Sequence, residues 1–340
     1  MEESDRYLWD ATGVPDAELQ QWEELLRRFS PTEVPALAFS RRPRVNATLR
    51  SYWIVATAAC LLVVASVAVR LAWQPGPIWK VVALSGTPSI NGQVVKPSGK
   101  LRAGELLETN SYSSAKIRLG LMGAIRIEPN TRLRLVATQS GRHRVALERG
   151  EISAQLWAPP RTLSVDTPSS EAIDLGCAFV LQVDERGEGR VRVTSGWVQF
   201  QFAESQAIVP AGAVALTRPN LGPGTPFFED ARSDFRTALE QLDFGPTRYQ
   251  NTQALAAVLA AAGPKDAISL LSLLSRVDAS SRGMVFDKMT ELLSPPAGLT
   301  REQVVAGTNP LAMDAWWKKL GLGDAKSWLV HWRDAFGSPE

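Results

Sequence analysis

The sequence predicts one transmembrane helix, then an all-β extracytoplasmic domain (solenoid-like or sandwich), then an α-helical C-terminal domain. Three patterns carry that reading. The stretch from Ser51 to Val69 runs 19 residues without a charge. From Trp79 to about Thr217 apolar and polar residues alternate with a period of two, the period of a strand with one buried face. After Pro219 the apolar spacing becomes that of an amphipathic helix.

An α-helix of the length of Ser51–Val69 is roughly 28 Å long, close to the ~30 Å hydrocarbon core of a bilayer. Arg50 and Arg70 bracket the stretch, and Trp53 and Trp73 stand where an aromatic belt would place them. A cleaved signal peptide fits poorly, because a long segment precedes the stretch and the apolar run exceeds the roughly 7–15 residues of a signal core. Arg41, Arg42, Arg44 and Arg50 lie just before it, and only Arg70 and Lys80 just after. That asymmetry puts the N-terminus in the cytoplasm. The resulting plan is a cytoplasmic helical segment over 1–30, a Pro/Arg-rich linker over 31–50 and the membrane helix over 51–73. The β domain covers 78–217, a linker 218–230 and the helical domain 231–340.

Composition narrows the function. The formal net charge is +2 with 21% charged residues, which suggests no nucleic-acid partner. Of two cysteines, Cys60 falls in the apolar stretch, so Cys177 has no partner for an intramolecular disulfide and reads as a buried thiol. The two histidines, His143 and His331, have no neighbouring ligand type in sequence, so no metal is expected. No cofactor motif stands either. Gly92–Lys100 has the wrong spacing for a phosphate loop, and Gly321 and Gly323 follow a helical pattern, as a C-cap would. No catalytic residue is assigned, and the chain is read as a non-enzyme.

The N-terminal segment is the candidate binding site. Residues 1–26 sum to −7 and residues 27–50 to +5. After Pro15 and the candidate N-cap Asp16, Leu19, Trp22, Leu25, Leu26 and Phe29 form one apolar stripe, with Trp9 upstream. A helix this short is marginal alone in water. Trp9, Trp22, Leu25, Leu26 and Phe29 are therefore the expected contacts to a cytoplasmic partner; a helix lying on the membrane surface is the other reading.

In the β region, Lys116–Leu119, Ala124–Glu128, Thr131–Leu135, Arg144–Leu147, Ile152–Leu156, Phe179–Val183, Arg190–Val193 and Trp197–Phe202 read as strands. Asn91-Gly92, Ala103-Gly104, Gly120, Pro129-Asn130, Gly141, Gly150 and Arg186-Gly187 read as turns between them. Arginines on successive strands read as a solvated face. Helices are expected over Asp234–Leu242, Asn251–Ala262, Asp266–Leu274, Ser281–Leu293, Asp314–Leu320 and Lys326–Phe336. The cluster of Trp316, Trp317, Trp328 and Trp332 reads as a helical core, with an aromatic surface for a glycan or peptide as the alternative.

The succession Gly104-Glu105, Thr109, Ser114–Leu119, Gly123, Ile125–Leu133, Val145–Ile152, Val165–Pro168, Ala172, Gly176, Phe179 and Val191–Val198 resembles the FecR domain. Cys177 stands where that family usually has threonine. The resemblance implies an anti-sigma-like regulator of the bacterial inner membrane. Such a protein relays a periplasmic signal through one transmembrane helix to a cytoplasmic partner, a sigma factor in the iron-citrate sensors that named the family. It also implies an envelope protein as a partner of the β domain. The alternative is a membrane-anchored periplasmic scaffold or ligand- or glycan-binding module with no transcriptional role. The topology has a direct check: a reporter active only in the periplasm, joined at the C-terminus, should be active, and one active only in the cytoplasm should be silent.

Overall fold

The computed structural model describes residues 17–28, 78–139, 141–203, 205–307 and 310–322. The chain divides into two units, Met1–Trp73 and Gln74–Glu340. In the first, helix α1 spans Ala17–Arg27. The expected membrane helix at 51–73 lies outside the described residues. Among the described residues, no helix is long and apolar enough to cross a membrane.

The second unit begins with strands β1 (Trp79–Ser85), β2 (Ser89–Ile90), β3 (Gln93–Val94), β4 (Ser98–Leu101), β5 (Leu106–Glu108), β6 (Ser114–Arg118), β7 (Gly123–Ile127) and β8 (Arg132–Gln139). The 15-residue β9 (Arg142–Leu156) follows. Then come β10 (Leu163–Asp166), β11 (Glu171–Asp174), β12 (Ala178–Val183), β13 (Gly189–Ser195), β14 (Trp197–Phe202), β15 (Ser205–Pro210) and β16 (Ala213–Arg218). The short β17 (Gly222–Pro223) and β18 (Phe227–Phe228) close the series.

These strands form two sheets that share β9. Sheet I runs β4-β1-β6-β7-β9-β12-β13-β16, with β17 and β18 beside β16. Sheet II runs β3-β2-β5-β8-β9-β10-β11-β14-β15. Neighbours pair antiparallel except β9 and β10, which are parallel. The alternation seen in sequence sends Val81, Ile117, Ile125, Phe179 and Val191 of sheet I, and Leu107, Leu133, Val145, Val165 and Phe200 of sheet II, into one common core. The domain is thus mostly β, as expected, with its strands joined through β9 into one continuous sheet that curves round this core as a half-barrel.

The shared strand corrects one expectation. Gly150 does not separate two strands; it is the corner inside one. Residues 142–149 pair in sheet II, and residues 150–156 pair in sheet I. At the corner Gly150 has φ +96°, and a Cβ there would meet Thr131 Cα at 2.4 Å. The buried Thr131 hydroxyl clasps the bend, accepting from Glu151 N at 3.0 Å and donating to Glu151 O at 3.2 Å. Elsewhere the turn chemistry acts as read. Asn91 and Gly92 both take positive φ, as a two-residue hairpin requires.

Residues 221–228, inside the stretch read as a linker, are instead largely buried and supply β17 and β18. Their carbonyls and amides are satisfied from outside the ladder: Thr225 donates through N and Oγ1 to Asp243, and Arg276 donates to Pro223 O. The helical region contains α2 (Ser233–Phe244), α3 (Thr252–Ala261), α4 (Ala267–Leu273), α5 (Ala279–Leu292), α6 (Arg301–Val305) and α7 (Pro310–Lys319). Asn251 and Asp278 cap α3 and α5 through side-chain bonds to Ala254 N and Ser281 N. Phe235, Leu239, Leu255, Leu270, Val285 and Met289 pack with Val214 of β16 and Phe227 of β18, so the helices cover the β16 end of sheet I from outside. Trp316 is fully buried against Phe286, as the core reading expects. Trp328, Trp332 and the helix expected at 326–336 lie outside the described residues.

A side chain at Gly150 would face both a positive φ and the Thr131 backbone. Gly150→Ala should therefore destabilise the fold by about 3 kcal/mol or more. Surface arginine substitutions on sheet II should cost less than about 1 kcal/mol. Denaturant unfolding of the variants checks both.

Candidate protein-binding site

Helix α1 forms where the sequence places Glu18 in its first turn and Arg27 in its last, each favourable to the helix dipole. Trp22, Leu25 and Leu26 stand at i, i+3 and i+4, on one face. They are 59%, 57% and 63% exposed, so this face has no cover among the described residues. Covering a large apolar side chain contributes roughly 1.5–3 kcal/mol. A helix of 11 residues cannot gain that from itself. The arrangement suits a helix laid into a partner's groove. Of the five expected contacts the structure brings together these three; Trp9 and Phe29 lie outside the described residues.

The β domain offers different chemistry. On the outer face of sheet II the arginines are mostly matched: Arg132 lies 3.2 Å from Glu108 and 3.4 Å from Glu148, Arg134 3.0 Å from Glu148, and Arg144 2.7 Å from Asp166. On the outer face of sheet I a groove of about 330 Å³ is lined by Glu151, Gln182, Arg190, Arg192 and Glu229. Arg190 and Arg192 share the one carboxylate of Glu229, at 3.5 and 3.7 Å. These are ion pairs too long for good hydrogen bonds, so both guanidiniums keep donors for an anionic group. A larger cleft of about 560 Å³ beside Arg248, Tyr249 and Arg276 is less available. Arg276 already donates to Pro223 O, Gln206 O and the Tyr249 hydroxyl.

Two buried polar groups were not legible in the sequence. Asp174, at the end of β11, is 1% exposed. Its Oδ1 accepts from Gly176 N, Cys177 N and Cys177 Sγ, while its Oδ2 has no partner. Burial pushes its pKa up to about 7, against the lowering effect of those bonds. Burial, then the Asp174 charge, pushes the Cys177 thiol well up, so the buried thiol is unreactive, as the sequence suggests. Asp166, by contrast, faces outward and accepts from Arg144. His143 Nδ1 lies 2.8 Å from Thr138 Oγ1, and its ring meets Trp79 edge-on at 5.4 Å. Burial lowers its pKa, which favours the neutral ring. Among the described residues, no three His, Cys, Asp or Glu side chains converge as metal ligands.

Residues 105–199 match the family model of the FecR protein. No protein of curated function matches the chain. Crystal structures of a candidate anti-sigma factor from Parabacteroides distasonis ATCC 8503, at 1.65 and 2.50 Å, are similar to 40% of this chain and span 64% of their own, with 19% identity and a TM-score of 0.32.

Asp174 makes stability depend on pH. Its folded pKa lies above the unfolded value, so the folded state holds a proton that the unfolded chain has released between about pH 4 and 7. Folding stability should fall as pH rises through that window, by at most ~4 kcal/mol, and level off above it. Asp174→Asn keeps the accepting oxygen and should flatten the profile, as read by urea midpoints across the window.

Proposed function

We propose that this chain, whose residues 105–199 match the FecR family model, is a non-enzymatic regulator of the bacterial envelope. It is anchored in the inner membrane by residues 51–73 and reports a periplasmic state to a cytoplasmic protein. The observation that carries the output side is the uncovered Trp22/Leu25/Leu26 face of α1. The family match supports a signalling role, and a sigma factor is the partner it suggests. Helix α1 offers three apolar anchors, and Glu23 and Glu24 lie beside them in sequence. Apolar anchors supply affinity, and an acidic rim steers a basic partner surface. Helix formation and docking then occur together, because neither the short helix nor the exposed stripe is stable alone.

A second reading rests on the Arg190/Arg192/Glu229 groove. It makes the β domain a ligand- or glycan-binding scaffold whose anchor only localises it. The readings separate at residues 1–30. Deleting them abolishes the transcriptional response under the regulator reading and leaves every transcript unchanged under the scaffold reading.

The doubly substituted Trp22→Ala/Leu26→Ala full-length chain should still reach the membrane and fold. Co-purified from cells, the unaltered chain should bring down a sigma factor, and the double variant should lose it by tenfold or more, about 1.4 kcal/mol for each factor of ten. Equal recovery by both chains contradicts the assignment of this face.

A further inference from the structure

The outer face of sheet I carries a patch that neither the family nor the proposed output explains. Cross-strand register sets Lys100, Lys80 and Arg118 side by side on β4, β1 and β6, and Lys116 beside Arg126 on β6 and β7. Arg126 is paired with Glu128 at 2.7 Å. Lys80, Lys100, Lys116 and Arg118 have no acidic partner among the described residues. Like charges directly opposite across strands are unfavourable; sheet II also sets Arg132 opposite Arg149, but there Glu108, Glu148 and Asp166 pair with Arg132, Arg134 and Arg144. Sheet I leaves its row unneutralised.

Apolar side chains protrude at the same end of this sheet. The chain enters at Ile78, which is 45% exposed, next to Trp79 at the start of β1. The turn Gly120–Met122 between β6 and β7 carries Leu121, 94% exposed, and Trp157 N donates to Met122 O, holding the 43% exposed Trp157 beside that turn. One end of the sheet thus combines an exposed leucine, isoleucine and tryptophan with a row of cations. That chemistry fits a bilayer surface: apolar and indole groups enter the interface while lysine and arginine meet lipid phosphates. The chain length agrees. The peptide from Val69, the end of the uncharged stretch, to Ile78 spans at most about 33 Å, which keeps this end near the headgroups.

We propose that this end of the β domain, through Leu121, Trp157, Lys80, Lys100 and Arg118, docks on an anionic phospholipid surface. The docking rests on the reading of residues 51–73 as a membrane anchor. It would give the domain a lipid-bound and a released state, so that the charge of the leaflet becomes an input to the domain.

The test uses the full chain reconstituted into phosphatidylcholine vesicles, and into vesicles of phosphatidylcholine and phosphatidylglycerol in equal parts. Backbone hydrogen exchange is read over residues 119–123 and 157–161. These segments should exchange about tenfold more slowly in the anionic vesicles than in the neutral ones, and the difference should vanish at high salt. Leu121→Glu, at a site too exposed to affect folding, should abolish the protection while the rest of the β domain exchanges as before. Lys80→Glu/Lys100→Glu should do the same. Equal exchange in both lipids, or protection unchanged in both variants, overturns the docking and leaves the anchor standing. A chain that fails to float with either vesicle overturns the anchor reading and the docking with it.

Discussion

The β domain depends on a single bend. One strand, β9, belongs to sheet II up to Arg149 and to sheet I from Gly150 onward. The corner exists because Gly150 takes φ +96° and because the Thr131 side chain fills the space a Cβ would need, while bonding both the amide and the carbonyl of Glu151. With the corner fixed, β7 and β12 flank one arm, and β8 and β10 flank the other. The two sheets then have no freedom to slide, and their inward side chains meet in one core. The hydrophobic term supplies the drive to bury those faces, but the glycine–threonine corner decides how they meet.

Much of this is written locally. The period-two runs at 114–118, 123–127 and 197–202 become strands almost at their expected bounds. The helices at 233–244 and 252–261 follow from apolar spacing and from the Asn251 cap. What the sequence hides is non-local. Gly150 carries the same local signal as a turn glycine, and only Thr131, 19 positions earlier in sequence, reveals it as a corner. The strands β10 and β11 are four residues each, too short for a period to register beside Thr167-Pro168-Ser169-Ser170. The Pro- and Gly-rich run after Arg218 looks like a linker because its residues are poor ladder partners. It is nonetheless built in, because Asp243 and Arg276, much later in sequence, satisfy its polar atoms.

The same distinction separates the sites. The stripe on α1 is a property of spacing within a few turns, so Trp22, Leu25 and Leu26 could be read directly. The difference between the two outer faces could not. Arg118 and Arg132 have similar neighbours in sequence; only cross-strand register shows that one sits beside Lys80 and the other beside Glu108. Asp174 likewise follows an alternating pattern, and its burial arises from the turn back to Cys177.

The entry of the chain has a mechanical consequence. Strand β1 is not at the rim of sheet I: it is paired on one side with β4 and on the other with β6, antiparallel to both. A tension applied to the chain at Ile78 runs along β1 and loads two ladders of backbone hydrogen bonds lengthwise, so that they must give way together. An edge strand pulled away from its neighbour would release its bonds one at a time. The domain is thus gripped at this end by a shear clamp. A pull on the chain at Ile78 therefore tilts or drags the β domain as a rigid piece before it frays β1.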